Sequence, residues 1–162
     1  MIDSAEQHIL FKTASTADEF IEGRNLFMQY ANSLEIDLSF QDFQNELDNI
    51  DKQYSRPKGA LLLAYKDDIA VGCAGIRELM KDIAELKRMF VEPGSRKFKI
   101  GKKLLELAIN VARELDYTFI RLDTLPDMTK AQALYRSFGF YEIPSYRFNP
   151  VTGTVFMEMK LI

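Results

Sequence analysis

Apolar positions recur with two different periods along this chain, and the change of period divides it. Up to residue 55 the spacing is helical. "TADE" at 16–19 is a capping box, in which the Thr16 hydroxyl bonds a free helix N–H and Glu19 reaches back to the cap, and Phe20, Phe27, Ala31 and Leu34 follow on one face. "SFQD" at 39–42 opens a second short helix carrying Phe40, Phe43 and Leu47, and "HILFKT" at 8–13 predicts an opening strand. From residue 60 the runs shorten and begin to alternate. "ALLLAY" (60–65), "IAVGCAGIREL" (69–79) and "IAELKRMFV" (83–91), separated by "KDD" and "MKD", predict an antiparallel meander that stops at Glu92-Pro93-Gly94.

The helical period then returns. Leu104, Leu105, Ala108, Val111, Ala112 and Leu115 fall on one face of a helix from Ile100 to Leu115. "YTFIRLDT" (117–124) predicts a strand ended by Pro126. A helix over 129–138 closes at Gly139, a left-handed cap residue, and "TVFMEMKL" (154–161) predicts the last strand. Strands before, between and after helices imply a mixed α/β (α+β) domain built on one sheet.

Composition narrows the class. A length of 162 residues suits one domain and, with 47% hydrophobic residues, supplies a core without a metal or disulfide staple. The lone Cys73 cannot form an internal disulfide and sits in an apolar strand, where a buried, inert thiol is expected. His8 is the only histidine, so neither a Ser/His/Asp nor a Cys/His arrangement nor a zinc site is expected. "MIDSAEQHIL" places Asp3 and Glu6 where a signal peptide carries positive charge, and no apolar run reaches the ~20 residues of a membrane span. A cytoplasmic protein without membrane contact is the expectation.

Against a net charge of −3, "SRKFKIGKKLL" (95–105) puts five basic side chains into the eight positions Arg96 to Lys103. Three readings compete: a solvated helix face, a nucleic-acid patch, or a cradle for a phosphorylated ligand. A nucleic-acid surface wants spread charge and exposed aromatics, and only Phe98 lies in the run, so no nucleic-acid partner is expected. The context, a broken strand, a basic loop, Gly101 and then an amphipathic helix, favours the cradle. A helix N-terminus offers free N–H groups and the positive end of the macrodipole, and Gly101 lets backbone approach an anion closely. Neither a P-loop nor a dinucleotide fingerprint is present.

Strand "AELKRMFVEP", loop "RKFKIG", the helix after it, "YTFIRLDT" and "AQALYRSFGF" together resemble the GNAT superfamily of acyl-CoA-dependent N-acetyltransferases over about residues 60–162. The resemblance implies a single N-acetyltransferase domain spanning 1–162. Its helical part, 1–55, would vary with the substrate, and its acyl-CoA-binding core, 60–162, would hold a largely antiparallel central sheet flanked by helices and splayed at the cofactor cleft. It implies acetyl-CoA as co-substrate and no metal. Arg96, Lys97, Phe98, Lys99, Ile100 and Gly101 would form the pyrophosphate loop. Met89, Phe90 and Val91 would pair with the pantetheine amides through their backbone, and Thr124 would line the same cleft. Two positions depart from the family pattern. Lys99 stands where a glycine is usual, at a strain of order 1–2 kcal/mol if its φ is positive, and Met128 stands where many members have Asn.

The same resemblance makes Tyr135 the general acid for the departing thiolate and Glu85 a candidate base, with Glu78 a weaker one. Tyr135 also fits plain helix packing beside Ala131 and Phe138, and Glu85 fits an exposed strand carboxylate paired with Lys87 or Arg88. The amine of a small molecule or peptide would attack directly within a ternary complex. A non-catalytic acyl-CoA-binding sensor is the alternative, and homodimerisation is common in the family. Tyr146, Arg147 and Phe148, in "YEIPSYRFNPVTG", either line an acceptor pocket, meet a partner subunit or pack as an ordinary loop.

Overall fold

The computed structural model describes residues 8–162. The opening strand predicted at 8–13 forms as β1 (Ile9–Thr13), and the capping box starts α1 (Ala17–Ser33). The Thr16 hydroxyl accepts from the Glu19 N–H at 3.2 Å, and the Glu19 carboxylate accepts from the Thr16 N–H at 3.0 Å. The second helix begins later than Ser39. Ser39–Gln41 is a 3-10 turn, Asp42 turns left-handed at φ 56°, and α2 (Phe43–Asp48) and α3 (Ile50–Gln53) follow as short pieces.

The meander is β2 (Ala60–Lys66), β3 (Ile69–Met80) and β4 (Ile83–Val91), each antiparallel to the next. "ALLLAY" is continuously apolar because β2 is covered on both faces. Leu61 and Leu63 join the core that Leu26 and Phe27 of α1 belong to, whereas Leu62 and Ala64 join that of Leu104, Leu105 and Ala108 of α4 (Ile100–Glu114). The basic loop before α4 winds into a 3-10 turn over Pro93–Phe98. β5 (Phe119–Thr124) starts two residues later than the alternation suggests, because the N–H groups of Thr118 and Phe119 are taken by the Asp82 carbonyl. α5 (Thr129–Phe138) ends at Gly139, whose φ of 108° is the left-handed cap read from the sequence.

A three-residue strand, β6 (Tyr141–Ile143), pairs with β7 (Val155–Lys160) and was hidden by its shortness and by Pro144. The described residues thus form a seven-stranded sheet in the order β1-β2-β3-β4-β5-β7-β6. Only β4 and β5 are parallel, and they pair over just Ile83–Glu85 and Phe119–Arg121. This is the mixed, largely antiparallel architecture that the resemblance implied.

β4 also carries a bulge. Cys73 of β3 faces Phe90 and Gly75 faces Lys87, so Arg88 and Met89 together oppose Ala74, with Arg88 at φ 57°. The extra residue reverses the alternation, which turns Phe90 toward the α1 core and Leu86 and Val91 toward the α4 core. Gly75 is required here: a Cβ would lie 2.5 Å from the Tyr54 ring. Among the described residues no helix is long and apolar enough to cross a membrane.

Candidate active site

The split in the sheet makes the site. Beyond Glu85, β4 runs on to Val91 paired only with β3, and beyond Arg121, β5 runs on to Thr124 paired only with β7. The two strands part around a cleft of about 610 Å³. Eight of the residues expected to bind a cofactor line it: Met89, Phe90, Val91, Arg96, Lys99, Gly101, Thr124 and Tyr135. The other three do not. Ile100 is fully buried, Phe98 packs against the core beneath Lys66 at 4.5 Å, and Lys97 is exposed with its ammonium 5.3 Å from the Phe98 ring.

At one end of the cleft α4 begins without a side-chain cap. Lys99 holds the cap position at φ 58°, the strained conformation weighed from the sequence, and the first helical bond runs from the Lys103 N–H to the Lys99 carbonyl at 3.3 Å. The N–H groups of Ile100, Gly101 and Lys102 therefore have no intrahelical acceptor and stand at the positive end of the dipole. Arg96 ties the loop to β4 by donating from Nε to the Val91 carbonyl at 2.9 Å. A Cβ on Gly101 would meet only Val91, at 3.8 Å, so no protein contact demands glycine there. Its open flank, the free N–H groups and the surrounding lysines fit the pyrophosphate of an acyl-CoA. α5 also starts uncapped on the cleft, at Met128, whose sulfur accepts from the Thr124 hydroxyl at 3.8 Å.

The chemistry-bearing side chains lie further along. Tyr135 is buried, and its hydroxyl has no hydrogen-bond partner among the described residues. Burial pushes that phenol above its ordinary pKa, so it stays protonated and able to donate at neutral pH. Tyr30, on α1, lines the same cleft and is pushed up to about 12 by burial. Asp123 lines it as well and accepts from Asn149 Nδ2 at 3.5 Å.

Glu85 is neither the exposed carboxylate nor the partner of Lys87 or Arg88 that the strand pattern suggested, because Arg77 and Arg147 reach it from β3 and the 144–154 loop. It is fully buried on β4, outside the residues lining the cleft, and both of its oxygens are engaged. Oε1 accepts from Arg77 Nε and Nη2 at 3.3 Å each, while Oε2 accepts from the Tyr146 hydroxyl at 2.9 Å and from Arg147. Burial alone would raise its pKa, but the charges of Lys87, Arg147 and Arg77 hold it below the ordinary carboxylate range. It thus clasps the 144–154 loop to the sheet. Tyr146 and Arg147 are the loop's contacts to Glu85, whereas Phe148 is 75% exposed.

Beside the cleft, on the α1 side, is a smaller chamber of about 30 Å³ that shares the walls Tyr30, Arg88, Asp123 and Thr124 with it and is also lined by Gln41 and Asn149. Asp123 was legible in principle: "IRLDT" alternates, and Ile120, Leu122 and Thr124 are buried on one face, leaving Arg121 and Asp123 on the other. Tyr30 and Gln41 carried no such signal, since only the long-range packing of α1 and the 39–41 turn brings them here. Cys73 is buried as expected and donates to the Arg88 carbonyl at 3.3 Å, with burial pushing the thiol up.

Fold and cleft together define an acyltransferase. The chain belongs to the acetyltransferase (GNAT) family, whose sequence model matches residues 23–140. It is 32% identical over 152 residues to an uncharacterized N-acetyltransferase of Schizosaccharomyces pombe, covering 93% of this chain and 91% of that one. An uncharacterized N-acetyltransferase of Dictyostelium discoideum is 30% identical, over 84% of this chain and 92% of its own. Among solved structures, a GNAT-family acetyltransferase from Staphylococcus aureus superposes with a TM-score of 0.78 at 28% identity, over 96% of this chain and all of its own.

Proposed function

We propose that the protein moves an acetyl group from acetyl-CoA to the primary amine of a small molecule or peptide, by direct attack within a ternary complex. The observation that carries this reading is the single cleft joining the uncapped start of α4 to Asp123 and Tyr135. The free amides of Ile100, Gly101 and Lys102, with Arg96 and Lys99 beside them, would hold the pyrophosphate. The unpaired edge of β4 at Met89–Val91 would bind the pantetheine amides as an added strand. Acetyl-CoA supplies the activated acyl group, and the chain's own residues do the rest.

In this reading the amine nitrogen bonds to the acyl carbon as the carbon–sulfur bond breaks. Asp123 takes the amine proton, and Tyr135 donates to the departing thiolate. An N–H of the Met89–Val91 stretch faces the acyl oxygen as it gains charge. Glu85, with both oxygens engaged by cations, acts here as a positioning residue that holds Tyr146 and Arg147, and with them the loop that carries Asn149 of the small chamber, against β4. The test is thiol release from acetyl-CoA across a panel of amino acids, polyamines and peptides, with the acetylated product identified by mass. Amine-dependent release is expected. CoA binding without release from any amine would favour a non-catalytic acyl-CoA-binding module instead.

A further inference from the structure

Two opposite charges stand where β4 and β5 part, Asp123 lining the cleft and Lys87 buried behind it, and among the described residues neither has an ion-pair partner. Lys87 is 3% exposed, and its ammonium has one protein hydrogen bond, to the Gln41 side-chain oxygen at 2.8 Å. Asp123 has only the contact with Asn149. The other charges on this face are matched: Arg88 with Glu46, and Arg77 and Arg147 with Glu85. Lys87 and Asp123 each lie two residues beyond the last β4–β5 pair, Glu85 and Arg121, on the α1 side where the strands part. Gln41 and Asp123 are both walls of the small chamber, so Lys87 stands directly behind one wall and Asp123 forms another.

Burying an ammonium against a single amide oxygen costs stability that a methionine of similar length would not. A site that keeps both a cation and an anion unpaired is complementary to a ligand carrying the opposite two. On the footing of the transfer reading above, we propose that the acceptor is a compact zwitterion: an amine bearing its own carboxylate or phosphate, its amino group against Asp123 and its anionic group taking the place of the Gln41 side-chain oxygen on Lys87. Burial and the Arg88 charge push the lysine down to about 7, while Glu85 and Asp123 oppose this and Arg147 adds to it. An anion arriving beside Lys87 would therefore draw a proton onto it.

The test is calorimetry on the full chain with CoA present, using alanine, glutamate and O-phosphoethanolamine against alaninamide and ethanolamine. The expected result is at least tenfold tighter binding of anionic amines than of their neutral counterparts, with proton uptake seen on changing the buffer. Comparing the carboxylates with the phosphate identifies the anionic group. Lys87→Met should remove the preference while keeping neutral-amine affinity and an undiminished melting temperature, and Lys87→Arg should restore part of it. Equal binding of alanine and alaninamide, no binding of any anionic amine, or a preference that survives Lys87→Met overturns the proposal. Lys87-dependent binding without acetylation would sink the transfer reading alone, and acetylation of neutral amines without preference would sink the zwitterion alone.

Discussion

Arg88 leaves the bulge of β4 at φ 57° and closes on Glu46 with two hydrogen bonds of 3.0 and 2.8 Å, both side chains buried. The Tyr54 hydroxyl adds a third bond to the same carboxylate at 2.9 Å, and the guanidinium lies 5.0 Å from the Phe43 ring centre. The bulge that frees β4 from β5 is thereby fastened to α2. Glu46→Gln leaves a buried guanidinium without its counter-charge and should cost about 3–5 kcal/mol in urea unfolding. Replacing both partners by apolar residues of similar size should cost much less. Burial would raise the Glu46 pKa, but the hydrogen bond and charge of Arg88 outweigh it and hold the carboxyl below the ordinary carboxylate range. With the folded value depressed, the pair's stabilisation is complete above the unfolded pKa and is lost as pH falls through the folded one. Wild type should therefore lose more stability than Glu46→Gln on acidification below about pH 4.

Lys99 pays for the loop's shape. A non-glycine residue at φ 58° is strained by about 1–2 kcal/mol, and a lysine at the first turn of a helix also opposes the dipole. Lys99→Gly should raise unfolding stability by roughly 1 kcal/mol, less than the full strain because glycine also gains freedom in the unfolded chain. CoA affinity should be retained, since the free amides belong to the backbone. A large loss of affinity by calorimetry would assign the Lys99 ammonium a direct phosphate contact.

Asp123, Glu85 and Tyr135 separate by kinetics. Asp123→Asn should lower kcat by about 100-fold or more with CoA affinity unchanged, the scale of a lost general base. Tyr135→Phe should slow transfer without altering acceptor KM. Glu85→Gln should release Arg147 and Tyr146, raising acceptor KM and lowering the melting temperature, with kcat little changed. If Glu85→Gln instead removes kcat and leaves KM alone, then Glu85 is the base after all.

The sequence carried the frame of this site and little of its interior. The strands of the meander, the α4 stripe and the Gly139 cap were readable because each rests on local periodicity or backbone preference, and so was the placing of Arg96, Lys99 and Gly101 at a helix start. The bulge was not readable, because "LKRMFV" contains no glycine and the left-handed turn falls on Arg88, held there by Glu46 42 positions away. The state of Glu85 was likewise hidden. Its partners Arg77, Tyr146 and Arg147 come from another strand and from a loop 61–62 residues on. Local pattern fixes where a strand lies, whereas contacts of this kind decide what its side chains can do.

Lys87 gives the last prediction. Burial, helped by the Arg88 charge, lowers its pKa from 10.5 to about 7, so between those values the unfolded chain holds a proton that the folded chain has shed. Stability must then rise with pH across that window, and below it the whole penalty of a buried ammonium is present. Lys87→Met removes the titrating group. Near pH 6.5 the variant should be more stable than wild type by a few kcal/mol, and the difference should shrink steadily as urea unfolding is repeated toward pH 10. A constant difference across that range would mean that Lys87 does not titrate there. Adding a saturating anionic amine should itself narrow the gap at pH 6.5, because the ligand supplies the counter-charge that the fold leaves out.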